Sequence, residues 1–328
     1  MKFGIRFIDY VGSLREIVEL SVLAEQAGFD AVWFPHDTFM KNTWVTTSAV
    51  AARTSRVAIG SVGTNPYTTS PAEIATYIAT LDELSGGRAV LGLGLHTRDM
   101  VGWLGVDARD CIRRTELAVH AIRRLLRGET VDDVPGWGEQ CYLRFEPHRA
   151  RVPIYVCAFG LEYLAMSGAV GDGSLPMITP PESASYMVPA ITRGAREAGR
   201  DPGELDIAGC AWLSLSETRS GATQVLRQMV SYFGPYMEEP ALQTVGLSQA
   251  DFAKQKELIG EGKYEDAAAS VNEKMFRLAI AGTPNEVIAQ IERLAELGIT
   301  QVSLGGPIGP DPAEAIRLMG EKVIPYFR

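Results

Sequence analysis

The sequence predicts an α/β fold, a (β/α)8 TIM barrel, from three observations. Short apolar runs of strand character recur along the 328 residues, an amphipathic helix follows each one, and the count reaches eight. Turn-forming residues gather where strands meet their helices, the end of a barrel at which loops converge. An open doubly wound sheet with a second domain also accommodates the alternation, but closure explains eight repeats more simply. The expectation is one barrel domain over 1–328, with insertions at about 128–151 and 235–277.

Strand one is Phe3 to Ile8. Ser13 then caps a helix from Leu14 to Gln26, whose Leu14, Ile17, Val18, Leu20 and Leu23 share a face, and Gly28 ends it. Strand two is Ala31 to Phe34, with His36-Asp37 as its loop and a helix from Trp44 to Arg53. Strand three, Val57 to Val62, runs into a loop that lasts until Pro71. There Gly63 tolerates positive φ, Asn65 can bond its own backbone and Pro66 keeps Asn65 extended. A helix from Ala72 to Leu84 follows. Strand four is Arg88 to Gly94, with a helix from about Ile112 to Leu126 and then the irregular 128–151 stretch. Strand five, Ile154 to Cys157, meets a helix at Gly160, and strand six, Ser174 to Ile178, meets one near Glu182. Strand seven is Ile207 to Leu215, with a helix from Ala222, and helical but off-pattern sequence fills 235–277. Pro284 opens a helix to Leu297, strand eight is Gln301 to Leu304, and Pro312 opens the last helix.

Composition excludes several classes of function. The chain carries 31 Lys and Arg against 40 Asp and Glu, a net charge of −9, and no basic run, so no nucleic acid or anionic membrane partner is expected. No stretch of ~20 apolar residues offers a membrane span and no signal pattern precedes strand one, so the expected location is the cytoplasm. Cys111, Cys141, Cys157 and Cys210 are dispersed, without a CxxC or a neighbouring His, so neither disulfides nor a metal site is expected.

A closed barrel brings together Arg6 to Tyr10, Pro35 to Phe39, Val62 to Thr68, Gly94 to Arg98, Ala158 to Leu161, Met177 to Pro180 and Gly305 to Ile308. Arg6 alternates with Phe3, Ile5 and Phe7 and so points inward, where its charge needs a partner such as Asp9 or Asp37, or a ligand. His36 stands where strands deliver catalytic groups, and either catalysis or a structural hydrogen bond suits it. His96, Thr97 and Arg98 offer a donor, a hydroxyl and a cation, or else a local salt-bridged turn. Ala158-Phe159-Gly160-Leu161 opens a helix whose unpaired N–H groups suit an anion, unless Gly160 only serves a tight turn. Leu91-Gly92-Leu93-Gly94 lacks the rest of a dinucleotide fingerprint, so Gly92 reads as relief of a crowded interior. Phe7, Tyr10, Phe39, Trp44, Tyr67 and Trp103 place aromatics at the same mouth. With few acids and bases beside them, they point to a flat ligand and to chemistry carried by a cofactor.

Four segments carry a resemblance over nearly the whole chain. They are Gly63-Thr64-Asn65-Pro66-Tyr67-Thr68, Leu81-Asp82-Glu83-Leu84-Ser85-Gly86-Gly87-Arg88, Ile280-Ala281-Gly282-Thr283-Pro284, and Gly305-Gly306-Pro307-Ile308-Gly309-Pro310-Asp311 with Val323-Ile324-Pro325. Together they resemble the coenzyme F420-dependent methylenetetrahydromethanopterin reductases of the bacterial-luciferase-like superfamily. The resemblance implies coenzyme F420, an obligate hydride carrier, with a small-molecule substrate and a homo-oligomer, either dimer or tetramer. It implies that the deazaflavin ring lies against Val62, Gly63, Thr64 and Asn65, with a cis peptide joining Val62 to Gly63. It also implies a phosphate-binding turn at Ala158, Phe159, Gly160 and Leu161, with His36 beside the ring and Thr97 and Arg98 near its tail or the substrate. Met177 and Ile178, closing strand six, are counted with this cofactor-binding set.

The chain departs from the reductase pattern on the substrate side. Arg6 stands where those proteins carry an acid, His36-Asp37 reverses their Asp-His order, and Leu95-His96-Thr97-Arg98 replaces a glycine-rich turn. The expectation is an F420-dependent oxidoreductase that moves a hydride between C5 of the deazaflavin and a carbon of a small organic substrate. His36, His96 and Arg6 are the candidates for proton supply or substrate orientation. The alternatives are an FMN-dependent monooxygenase of the same superfamily and a non-catalytic flavin-binding protein.

Overall fold

The computed structural model describes residues 1–8, 12–36, 39–94, 102–237 and 239–328, with the backbone alone for Pro240. Ten strands form among them: β1 (Lys2–Arg6), β2 (Ala31–Phe34), β3 (Ala58–Ser61), β4 (Ala89–Leu93), β5 (Ile154–Ala158), β6 (Gly173–Pro176), β7 (Asp206–Ala211), β8 (Leu213–Leu215), β9 (Ile280–Gly282) and β10 (Gln301–Gly305). Strands β1 to β7 and β10 close a parallel barrel in that order, with β10 returning to β1. The (β/α)8 expectation is met.

Helices α1 (Leu14–Gln26), α2 (Thr43–Ala51), α3 (Pro71–Ser85), α4 (Cys111–Leu126), α5 (Leu161–Val170), α6 (Pro181–Glu197) and α7 (Arg219–Phe233) follow β1 to β6 and then β8. Three short helices come next, α8 (Glu239–Thr244), α9 (Ala253–Gly260) and α10 (Tyr264–Ala269), and α11 (Pro284–Glu296) and α12 (Pro312–Leu318) complete the chain's numbered helices. Their starts are chemically marked. Ser13 and Glu16 form a capping box on α1, Asn42 accepts from Trp44 and Val45 N–H on α2, and Ser70 caps α3 with Pro71 behind it. None of the helices is long and apolar enough to cross a membrane, among the described residues.

Alternation along the strands sorts two cores. Phe3, Ile5, Val32, Phe34, Ile59, Leu91, Leu93, Ile154 and Val156 point outward and pack beneath the helices. The inward set includes Trp33, Val62, Tyr155, Cys157, Leu175, Met177, Ala208 and Cys210. Trp33 fills the lower interior. Its indole Nε1 donates to Gln301 Oε1 at 3.3 Å, and its ring meets Tyr155 edge-on with centroids 5.5 Å apart. Glycines on the flanking strands make room: a Cβ on Gly4 would come within 2.7 Å of the indole nitrogen, and one on Gly60 would clash with the six-membered ring. Below, Tyr155 Oη and Lys2 Nζ both reach Asp206 Oδ2 at 2.8 Å, closing the floor with polar groups.

Two sequence expectations are corrected. Strand seven is not continuous from Ile207 to Leu215. The chain leaves the barrel after Ala211, because Trp212 turns its ring into a separate apolar cluster with Leu226, Val230, Phe252, Phe276 and Leu278. Leu213–Leu215 then pairs in parallel with Ile280–Gly282, a strand missing from the sequence reading, and this pair lies outside the barrel. The off-pattern 235–277 stretch folds over α7 on that second cluster. Among 128–151 no strand or helix forms; Arg149 ties that stretch to α3 through Asp82, at 2.6 and 2.9 Å.

Substituting Gly60 with Ala forces a methyl against an indole that cannot retreat, and overpacking of this kind costs about 1–3 kcal/mol. Chemical denaturation should show that loss in the wild-type background and a smaller one beside Trp33→Phe, because the two sites share one contact. A second prediction concerns acid. Burial pushes the Asp172 carboxyl up, but the N–H of Ile154 and the guanidinium groups of Arg151 and Arg123 outweigh it and hold the group below its ordinary range. A carboxyl held low in the folded state stabilises at neutral pH, and the contribution is lost as pH falls below about 4. Asp172→Asn should therefore lower the urea midpoint at pH 7 and flatten its decline on acidification.

Candidate functional site

The end of β3 is built as a bulge. Val62 N still donates to Phe34 O at 2.7 Å, and Thr64 rejoins the sheet two residues later by pairing with Leu93. Thr64 N donates to Gly92 O at 2.7 Å and Gly94 N to Thr64 O at 2.8 Å. The peptide between Val62 and Gly63 is cis, as the resemblance implied. A hydroxyl chain ties the bulge down: Thr64 Oγ1 donates to Ser61 Oγ at 2.9 Å, which donates to Gly92 O at 3.0 Å. Asn65 Oδ1 closes the following turn by accepting from Tyr67 N, Thr68 N and Thr68 Oγ1 at 3.1, 2.9 and 3.0 Å. Val62, Gly63, Thr64 and Asn65 are all buried.

Two strands further round, β5 delivers Ala158 and the turn before α5. Gly160 there has φ 74° and ψ 154°, a conformation that side-chain-bearing residues scarcely adopt. No side chain caps α5, and a Cβ on Gly160 would meet nothing within 4 Å. The helix start has no side-chain cap on its first-turn N–H groups and is flanked by the exposed Phe159 and Leu161.

At the end of β6, Met177 N donates to Ala158 O at 3.3 Å and Met177 pairs with Cys210 of β7. Ile178 follows with φ 56°, an outlier for a β-branched side chain, which costs about 1–3 kcal/mol and persists only where neighbours dictate it. Thr179 spans the kink, with N–H to Cys210 O at 3.1 Å and Oγ1 to Pro176 O at 2.7 Å. Residues 62–65, 158–161 and 177–178 therefore share one arc of the rim, from β3 to β6.

Arg6 belongs to the opposite arc. Its Nη2 donates to Ala211 O at 2.8 Å and Gly305 O at 3.0 Å, across the ends of β7 and β10. Asp9 and Asp37, its expected partners, lie outside the described residues, as do His96, Thr97 and Arg98. The buried Cys210 thiol lies against Arg6 and Ser303; burial pushes it up while those two neighbours pull the other way. His36, past the end of β2, has its ring 5.8 Å from Trp44, which lies 5.0 Å from Tyr77.

The aromatics do not all crowd the mouth. Phe7 alternates outward and stacks on Phe34 at 6.1 Å in the shell beneath the helices. Phe39 and Trp103 stand exposed with centroids 6.4 Å apart, while Tyr67 lies under the Arg114 guanidinium at 4.9 Å. Tyr10 is outside the described residues. Ser303 and Arg114 were missed in the sequence. Strand alternation with Gln301 and Gly305 could have found Ser303; nothing local marks Arg114.

Comparison with known proteins follows the same lines. Residues 1–301 match the family model described as luciferase-like monooxygenase. The 5,10-methylenetetrahydromethanopterin reductase of Methanolobus tindarius is 32% identical over 330 residues, covering 99% of this chain and 100% of that protein. Its counterpart in Archaeoglobus fulgidus is 32% identical over 335 residues and covers both chains fully. The structure of the coenzyme F420 dependent tetrahydromethanopterin reductase from Methanopyrus kandleri superposes with a TM-score of 0.94 at 29% identity, covering 100% of this chain and 99% of that one. With the bulged β3, the open α5 start and these full-length matches, the chain belongs to the luciferase-like monooxygenase family.

Proposed function

We propose that this protein is a coenzyme F420-dependent oxidoreductase acting on a carbon centre of a small organic substrate. The observation that carries the reading is full-length likeness to an F420 dependent reductase, joined to a rim arc that suits such a cofactor. When bound, the deazaflavin supplies a centre at C5 that gives or takes a hydride. The protein's task is then positioning, since hydride transfer needs the reacting carbons roughly 3–3.5 Å apart.

Val62, Gly63, Thr64 and Asn65 form the face for the flat ring, and the Ser61–Thr64 hydroxyl chain and the Asn65 turn keep it rigid. Ala158 to Leu161 hold the phosphate at the α5 start, where free N–H groups and the helix dipole favour an anion. Met177 and Ile178 close that side, and His36 borders the ring from β2. Thr97 and Arg98 approach the tail or the substrate. His36 and His96 carry protons near neutral pH, whereas Arg6, permanently charged, orients. The reading extends to a single barrel domain with two insertions, working in the cytoplasm as a homo-oligomer, dimer or tetramer.

Titration of the purified protein with F420 and with FMN should show preference for F420. Tighter FMN binding with oxygen consumption would favour the monooxygenase reading that the family's description suggests. Replacing Gly160 would disturb the backbone itself, so Leu161→Asp is the cleaner probe of the turn. An acid at the first helical position stabilises α5 by about 0.3–1 kcal/mol but repels a phosphate. F420 affinity should fall roughly tenfold, about 1.4 kcal/mol, with an unfolding midpoint unchanged or higher. Undiminished affinity would remove this turn from the phosphate site.

A further inference from the structure

Gly63 carries no side chain for a reason that lies two strands away. Its φ falls outside the left-handed region, so backbone conformation alone does not demand a glycine there. A Cβ on it, however, would stand 2.5 Å from Cys157 Sγ and 2.9 Å from Cys157 Cβ. Cys157 is on β5 and Gly63 follows β3, with β4 between them. The thiol reaches across because β4 turns only glycines inward at that level, Gly92 and Gly94, while Leu91 and Leu93 pack in the outer shell. Gly94 closes in from β4, where a Cβ would lie 2.5 Å from Cys157 O. The bulge is therefore gripped twice. Thr64 N and Ser61 Oγ tie it to Gly92 O, and the Cys157 side chain, fully inside the barrel, packs directly against Gly63.

From this contact we infer that Cys157 is a positioning residue: its sulfur sets how far the Gly63 peptide stands into the mouth, and so where the flat ring of a bound cofactor lies. The inference deepens the F420-dependent reading and rests on it, because that reading lays the ring against residues 62–65. In this role the thiol touches no ligand and acts through the backbone it supports. Cysteine suits the place, being a small, polarizable hydrophobe with a single heavy atom beyond Cβ to span the gap that β4 leaves. Protein interiors are close-packed, so a change in the size of this side chain passes to the peptide it touches. A shorter side chain leaves Gly63 unsupported, and a bulkier one drives it toward the ring. Hydride transfer depends steeply on how the reacting carbons are placed, so a small displacement here falls on the chemistry before it falls on the fold.

The test measures F420 affinity by fluorescence titration, the absorption maximum of the bound cofactor and the urea midpoint. The proteins are wild type, Cys157→Ser, Cys157→Ala, Gly63→Ala, and Gly63→Ala combined with Cys157→Gly. Gly63→Ala should weaken F420 binding about tenfold, and the double variant, which clears both atoms the new methyl strikes, should recover to within about threefold of wild type. Cys157→Ala should weaken binding and shift the absorption of the bound cofactor. Cys157→Ser keeps an atom at the contact and should hold both near wild type, even though burying its hydroxyl lowers the urea midpoint. A Cys157 that only fills the core would lower the midpoint in each of its variants and leave affinity and absorption unchanged, and that result overturns the inference. So does a Gly63→Ala defect that Cys157→Gly fails to relieve. Should either Gly63 variant fail to fold, the contrast between Cys157→Ala and Cys157→Ser decides by the same criteria. Wild type that binds no F420 removes the cofactor reading and this inference with it. Wild type that binds F420, with Cys157→Ala binding it equally well and with the same absorption, removes the positioning role alone.

Discussion

The contact on which the rest depends is the one between Trp33 and the glycines beside it. A barrel of eight strands has an interior just wide enough for side chains to fill, so one indole there leaves its flanking strands no side chain at the same level. Gly4 and Gly60 meet that demand on β1 and β3, and a Cβ on Gly173 would strike Tyr155 in the same way across the barrel. Large residues on β2 and β5 are thus matched by absent ones on their neighbours. Because successive residues on a strand face opposite ways, seating Trp33 fixes the register of β1, β2 and β3 and so decides which residues face inward at the rim.

Trp33, Tyr155, Gln301 and Asp206 fill and shut the floor of the barrel. Above that plug the walls use backbone more than side chain. The β3 bulge, the Gly160 turn and the Ile178 kink each point main-chain groups where regular strands and helices would have consumed them. A flat, largely apolar cofactor needs such a surface, with close backbone approach along one edge and anion-binding N–H groups at its end. Arg6 and Ser303 stand on the other arc, against the Cys210 thiol.

Much of this was legible before folding was considered. Short apolar runs, the Ser13 cap and the helices opened by Pro284 and Pro312 marked the barrel strands and several of the helices that flank them, since each signal is local. Arg6 pointed inward by simple alternation, and Phe7, by the same rule, should have been placed outside. Gly92 was legible as a crowding relief, and a Cβ there would strike Ser61 O. What escaped was decided by distant partners. Trp212 leaves the barrel because a cluster assembled from α7 and 252–278 receives it, and Ile178 adopts its conformation because Thr179 is held on both sides. Arg6 found carbonyls on β7 and β10, more than two hundred residues away, which no local signal marks.

The short parallel pair of β8 and β9 has a consequence for how such a protein diversifies. The chain departs at Leu213–Leu215 and returns at Ile280–Gly282, and those two stretches are hydrogen-bonded to each other outside the barrel. Everything between them is an excursion clasped at its base, resting on an apolar cluster distinct from the one that holds the barrel. Lengthening or trimming a loop closed in this way changes its entropy only as the logarithm of its length, about 0.6 kcal/mol per doubling. Descendants can exchange that whole segment, and with it one flank of the mouth, while the strand register beneath is inherited intact.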